Sequence, residues 1–319
     1  GGKGFETYSG GEEGEYLTDR LMDEALAFIE QKKDDPFLLV LAHYAVHTPI
    51  EAPEPMVEKY REIITERGIP EGGPRSDRDV VVDNTGQVKT VQNNPTYAAM
   101  VESVDENLGR LVARLEELEL ADSTAIILTS DHGGLSSRGL ENMRELATTN
   151  LPYRHGKGWL YDGGIRVPLI VKWPGRVEPG QVSAVQVTGT DHYPTLLAMA
   201  GVGLRPAEHR DGRSYLPALQ GESYTRDPMF WHSSLGRPAS TGDTRSSAVI
   251  SGDWKLIQWY SLEDATIVRT ELYNLAEDPG EHQDLAVLET AKRAELEALL
   301  NDWKESVNAR LGAFKGGGG

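Results

Sequence analysis

The sequence predicts an α/β fold, a mostly parallel sheet sandwiched by helices, with a small C-terminal antiparallel subdomain of strands and helix. Three observations predict it. Short continuous apolar runs, "FLLVLA" from Phe37, "AIILTSD" from Ala125 and "RVPLIVKWPG" from Arg166, have the length of strands buried on both faces. Segments of helical period precede the first two of these runs. Beyond about residue 225 the pattern changes to short strands punctuated by turn residues.

The elements follow in order. "YLTDRLMDEALAFIEQKKDDP" places Leu17, Leu21, Ala25, Phe28 and Ile29 three or four apart, which predicts an amphipathic helix that Asp34, Asp35 and Pro36 end. "FLLVLAHYAV" reads as the first buried strand. Residues 49–95 are rich in Pro, Gly and charge and read as a long excursion with one short helix near Met56–Ile64. Tyr97, Val101, Val104, Leu108, Leu111, Val112, Leu115 and Leu118 form one helical stripe, followed by a turn and the strand "AIILTSD", half of a βαβ unit. A Gly-rich loop leads to the third apolar strand. "TDHYPTLLAMAG" is a helix with an acidic start, Pro in its first turn and Gly201 at its end, so Asp191 and His192 read as helix-start residues. "SAVISGDWKLIQWY" predicts a hairpin turning at Gly252-Asp253, "ELYNLAEDPGEHQDLA" a further strand and turn, and residues 287–310 a terminal helix. The expected organisation is a core over 1–224 and an antiparallel subdomain over 225–319.

Composition narrows the function. The 319 residues carry 50 acidic and 32 basic side chains, a net charge of −18, which argues against nucleic acid and anionic membrane as partners. An anionic substrate would need a local cluster of positive groups. With no cysteine, these residues hold no disulfide, thiolate metal site or cysteine nucleophile. The longest apolar run is too short to span a bilayer. The first residue is not Met, and the chain reads as a piece of something longer; the glycines at both ends are set aside.

Ligands of α/β sheets sit beyond the carboxyl ends of strands. His47 in "HYAVHTP", the Asp131-His132 pair in "LTSDHGG" and Lys157 in "YRHGKGWLYDGG" all fall at such places. Taken singly, each has a plain structural reading: Asp131 capping a turn, His47 hydrogen-bonded and partly buried, Lys157 solvated between two glycines. Asp-His-Gly-Gly equally fits a divalent-cation site, since both side chains are metal ligands and the glycines free the backbone beside them.

Five ordered blocks carry a resemblance: "EYLTDRLMDEALAFIE…PFLLVLAHYAVHTP", "YAAMVESVDENLGRLVARLEEL", "TAIILTSDHGG", "GKGWLYDGGIRVPLIVKWPG" and "VTGTDHYPTLLAMAG". Together with "LYNLAEDPGEHQDLA" near the end, they resemble a sulfatase of the alkaline-phosphatase-like superfamily, from about Gly14 to the last helix. The resemblance implies sulfate monoester hydrolysis on a sulfated carbohydrate or aryl sulfate, with one Ca2+ site and a formylglycine whose hydrate is the nucleophile. It implies Asp131 and His132 as two metal ligands; many relatives carry Asn at the second place. It implies His47 at the leaving-group oxygen and Lys157 on the sulfate. Gly163, Gly164 and Arg166 match a "GG.R.P" block, with Arg166 holding the loop through a carboxylate. Arg154 and His155 face the same loop and are candidate substrate contacts.

No Cys- or Ser-x-Pro/Ala-x-Arg run, the source of formylglycine, occurs in these residues. The chain therefore reads as the C-terminal two-thirds of a sulfatase, carrying an incomplete metal site and no nucleophile, and inactive by itself. The alternatives are a phosphoesterase or phosphonate monoester hydrolase of the same superfamily, or a non-catalytic relative that binds sulfated glycans. The family and the absence of cysteine point to a periplasmic or secreted protein.

Overall fold

A computed structural model of the chain describes residues 11, 14–72, 80–83, 86–142, 144–226 and 228–312. They fall into two compact units, one of residues up to 72 with 93–124, the other of residues 73–92 with 125–319.

The first unit is built on helices α1 (Leu17–Lys32), α2 (Glu54–Glu66) and α3 (Pro95–Glu117). The predicted period of α1 is present, but its buried face is Thr18, Met22, Ala25 and Ile29, and Leu17 is exposed. Helix α3 starts where Asn94 accepts the Tyr97 backbone N–H at 2.9 Å and Pro95 takes the first helical position. Its most buried face runs through Ala99, Met100, Ser103, Asn107 and Leu115, while Val101 of the predicted stripe is exposed. The reason is close helix contact. Small and polar side chains let α1 approach, and Asn107 Nδ2 donates to Asp19 Oδ1 at 2.7 Å. Arg110–Asp23 and Arg114–Glu30 ion pairs extend the same contact, and Lys59–Glu102 ties α2 to α3.

"FLLVLA" is not a strand. Residues 37–42 have no ladder partner among the described residues, and Leu38 and Val40 are 65% and 78% exposed. Apolarity makes a run fit to be a buried strand, but only a neighbouring strand's N–H and C=O groups make it one.

Among the described residues, the second unit holds three antiparallel sheets. Strands β1 (Val80–Asp83), β2 (Gly86–Lys89) and β4 (Ser137–Arg138) form the first. Strand β3 (Ile126–Thr129) pairs with β5 (Leu169–Lys172), in the register Ile126↔Lys172 to Thr129↔Leu169. These two predicted strands exist, but they run antiparallel, which corrects the parallel pairing; the mixed α/β class holds. Between them lies the short helix α4 (Asp162–Ile165), and after them come α5 (His192–Met199) and α6 (Leu216–Leu219). At the start of α5, Thr188 and Asp191 close a capping box, and Arg226 Nε sits 3.0 Å from the buried Asp191 carboxylate.

The third sheet orders β6 (Met229–Ser233), β7 (Ser246–Ser251), β8 (Trp254–Tyr260) and β9 (Ile267–Asn274) as an antiparallel meander. The predicted turn at Gly252 is present, with φ +56°. Alternation of side chains sorts its two faces. Val249, Leu256 and Leu272 lie directly opposite one another and meet Leu296 and Leu300 of helix α7 (Thr290–Ser306). Burying those two leucines contributes about 1.5–3 kcal/mol each. Ala248, Ile257 and Trp259 face the other way, against Trp159, Leu160 and Tyr161. The sheet is thereby welded to the segment that carries Lys157.

Candidate active site

Three glycine-bearing segments of the second unit meet backbone to backbone. Gly133 N–H donates to Gly164 O at 3.0 Å, Lys157 N–H to Gly134 O at 3.0 Å, and Gly163 N–H to Arg154 O at 3.0 Å. A Cβ on Gly133 would stand 1.7 Å from Gly163 O, one on Gly156 2.2 Å from Gly134 O, and one on Gly163 2.1 Å from His155 O. No side chain fits there. The glycines of "DHGG", "HGKG" and "DGG" are thus needed for close approach. Asn150 locks the joint, its Nδ2 donating to Gly134 O at 3.0 Å and to His155 O at 2.9 Å.

This joint fixes Asp131 and His132 at the exit of β3. The Asp131 side chain is 82% exposed, and its Oδ1 accepts the His132 backbone N–H at 3.0 Å. His132 Nδ1 lies 2.9 Å from Gly133 O, a pure acceptor, so Nδ1 carries a hydrogen and Nε2 is the nitrogen turned to Asp131. Nε2 in turn faces Asp131 Oδ2 at 3.2 Å. At that distance either a hydrogen on Nε2 or a bound cation can join the two atoms. The pair suits a divalent ion as a partial donor set only, because calcium takes about six to eight ligands. No group of three or more His, Cys, Asp or Glu able to hold a metal is present among the described residues.

Lys157 is half-buried and within electrostatic reach of Asp131. Burial pushes its amine below the ordinary lysine range, and Arg144 and Arg237 add to this, with Asp131 opposing. Lys157 makes no ion pair among the described residues, which leaves the amine available to an anion.

His47 belongs to the first unit and is exposed. Its Nδ1 donates to Thr48 O at 2.8 Å and its ring meets Tyr44 edge-on at 5.4 Å, which leaves Nε2 as the outward nitrogen.

Two expected substrate contacts are corrected. His155 is only 2% exposed and stacks against packing aromatics, 4.2 Å from Trp159 and 5.4 Å from Tyr161. Arg154 donates from Nη1 to Tyr273 OH and Glu281 O, both at 3.1 Å, and its guanidinium covers the Tyr161 ring. Both brace the core instead of lining an opening. Arg166 holds the loop through a carboxylate as expected, with Nε 2.8 Å from Asp162 Oδ2.

Comparison with known proteins decides the family. The family model "Sulfatase" matches residues 3–202, and "N-sulphoglucosamine sulphohydrolase, C-terminal" matches residues 154–309. The chain belongs to the sulfatase family. A sulfatase of Formosa agariphila is 32% identical over 291 residues, covering 85% of this chain and 46% of that protein. An N-acetylgalactosamine-6-O-sulfatase of Bacteroides thetaiotaomicron is 26% identical over 309 residues, covering 93% of this chain and 52% of that protein. The crystal structure of Ps i-CgsB in complex with k-i-k-neocarrahexaose superposes with a TM-score of 0.70 at 27% identity, over 92% of this chain and 56% of that one. A phosphonate monoester hydrolase of Silicibacter pomeroyi, at 21% identity and a TM-score of 0.63, shares the fold. The chain spans about half the length of the first two relatives named, with 46% and 52% of each covered.

Within this sulfatase-family chain, several supporting residues carry no sequence signal. Lys255 sits in the strand "WKLIQWY", where a lysine between apolar residues reads as solvent-facing, yet it is 0% exposed. Its Nζ bridges Asp162 Oδ1 at 2.9 Å and Glu281 Oε1 at 2.7 Å, while Asp162 N–H donates to Glu281 Oε2 at 2.6 Å. The network anchors the "DGG" segment to the C-terminal sheet. Arg144, Arg237 and Asn150 lie in polar loops where their spacing forms no pattern. No helix among the described residues is long and apolar enough to cross a membrane.

Proposed function

We propose that the protein carrying this chain hydrolyses a sulfate monoester, on a sulfated carbohydrate or an aryl alcohol, and releases inorganic sulfate. The observation that carries the reading is the glycine joint. It holds Lys157 and the Asp131-His132 pair together through Lys157 N–H to Gly134 O at 3.0 Å. The names of two relatives, an N-acetylgalactosamine-6-O-sulfatase and a protein solved with a neocarrahexaose, favour a carbohydrate substrate.

The roles follow from the chemistry. A sulfate ester is an anion whose departing alkoxide gathers further charge in the transition state, so fixed positive groups aimed at those oxygens lower the barrier. The Lys157 ammonium fills that role at the sulfate. His47, its Nδ1 committed to Thr48 O, keeps Nε2 for proton transfer. Asp131 and His132 supply two ligands to a calcium ion. When bound, that ion neutralises charge on the sulfate oxygens. These residues contain no Cys- or Ser-x-Pro/Ala-x-Arg run, so no formylglycine nucleophile is assigned to them. We place the protein in the periplasm or outside the cell, in keeping with its carbohydrate-active bacterial relatives.

The test is turnover by the natural full-length protein of matched sulfate and phosphate esters of 4-nitrophenol and of a hexosamine. Sulfate release at least about 100-fold above phosphate release is expected, a gap of some 2.7 kcal/mol. Faster phosphate release would replace the reading with a phosphoesterase.

A further inference from the structure

In a chain of net charge −18, positive charge is concentrated beside Lys157. Arg144 is half-buried, and Nη1 donates to Ser240 Oγ at 2.9 Å; among the described residues it has no carboxylate partner. Arg237 comes from the same stretch as Ser240. The folded loop ties itself together through Ser240 N–H to Arg237 O at 2.9 Å, Arg237 N–H to Asp243 O at 2.8 Å and Gly242 N–H to Arg237 O at 3.1 Å. It is fastened to the segment before Arg144 by Gly139 N–H to Ser240 O at 3.0 Å. It is fastened to the segment after Lys157 by Trp159 Nε1–H to Thr241 O at 2.9 Å.

That fastening hangs Arg237 over the residue next to Lys157. Its Nη2 lies 2.9 Å from where a Cβ on Gly158 would stand, and Gly158 takes φ +100°, so the approach requires glycine. Arg237 Nε leans on the buried Asp243 carboxylate at 3.4 Å, and the rest of its side chain is 48% exposed. Arg144 and Arg237 therefore lie within electrostatic reach of Lys157, with Asp243 holding the back of Arg237 and Asp131 opposing them at Lys157. Gathering like charges is unfavourable: Arg144 and Lys157 are both held below their ordinary pKa, mainly by burial and further by neighbouring arginine. Such an arrangement is relieved by a ligand that brings its own negative charge.

One sulfate ester group carries a single negative charge, and the proposed reaction already sets Lys157 against it. Two guanidinium forks remain, each shaped for a bidentate carboxylate or sulfate. We infer that Arg144 and Arg237 form a second anion subsite beside Lys157, so that the substrate is a carbohydrate sulfate bearing a further carboxylate or sulfate close to the scissile ester. This rests on the sulfatase reading and narrows it to polyanionic carbohydrates.

The test uses the natural full-length protein and three probes: a hexosamine 6-sulfate, the same sugar with a second sulfate, and a disaccharide joining the sulfated sugar to a hexuronate. For the wild type, kcat/KM for at least one dianionic probe exceeds that for the monosulfate by about tenfold or more, and Arg144→Ala and Arg237→Ala each bring this ratio close to one. Arg144→Lys keeps part of the ratio. Which dianion is preferred separates carboxylate from sulfate. Arg144→Ala also moves the alkaline limb of kcat/KM upward, which a purely structural role would not do. A wild-type ratio near one, or variants that slow all three probes equally, overturns the subsite. Should the wild type turn over none of them, the sulfatase reading fails instead, and calorimetric binding of the same probes decides the subsite. Tighter binding of a dianion that is lost in Arg144→Ala upholds it, and equal binding of all three removes it.

Discussion

Lys157 carries the most weight of any side chain assigned to the reaction. Replacing it with alanine in the natural full-length protein removes a charge aimed at the transition state, and kcat/KM for an aryl sulfate is expected to fall about 10²–10³-fold. Near-normal kinetics would withdraw its role. Burial and its arginine neighbours depress its pKa, so the required ammonium is lost as pH rises through that lowered value. The alkaline limb of the kcat/KM profile should therefore lie below the ordinary lysine value of about 10.4. The same shift has a sign for stability. A group whose folded pKa is lowered binds fewer protons folded than unfolded, so its contribution to stability grows as pH rises through that window. Asp131→Ala removes one of the two proposed metal ligands, and weaker calcium dependence of activity, read by titration after chelation, is the expected result. The placing of Asp131 and His132 at the exit of β3, and of Lys157 in the glycine-rich loop tied to it, was legible from the runs they follow; the roles proposed for them and for His47 rest on the resemblance. Arg154 and His155 were misread because adjacency in sequence to "GKG" says nothing about direction: His155 turns inward to stack on Trp159.

At the level of elements, the glycine joint and the buried ion network hold the proposed site in shape. Gly133→Ala forces a Cβ to within 1.7 Å of Gly163 O, an overlap with backbone that no rotamer relieves. A loss of about 3 kcal/mol or more of stability is expected, with loss of activity in whatever folds, measured by urea denaturation and turnover together. Lys255→Met leaves Asp162 and Glu281 buried without their shared cation, and should cost about 3–5 kcal/mol. A change below about 1 kcal/mol would mean that the network behaves like a solvent-screened pair. The helices α1, α3, α5 and α7 and the β7–β8 hairpin were readable from period, caps and turn residues. The pairing of β3 with β5 was not, since an apolar run fits a parallel and an antiparallel neighbour equally well.

For the whole molecule, the acidity of the chain and the proposed anionic substrate are reconciled locally: net charge is −18, yet Arg144 and Arg237 lie within electrostatic reach of Lys157. The 319-residue chain by itself is expected to give no detectable aryl sulfate hydrolysis, because its sequence holds no Cys- or Ser-x-Pro/Ala-x-Arg run. Turnover by the purified chain would overturn that expectation. The sequence by itself determined the family, the longer helices and the C-terminal hairpin, because these rest on local period, turn chemistry and motif spacing. Only the tertiary structure decided that β3 and β5 run antiparallel, that His155 and Lys255 are buried, and that Arg144 and Arg237 come within electrostatic reach of Lys157. Burial, strand direction and charge clustering depend on which distant segments meet, and no local pattern encodes the partner.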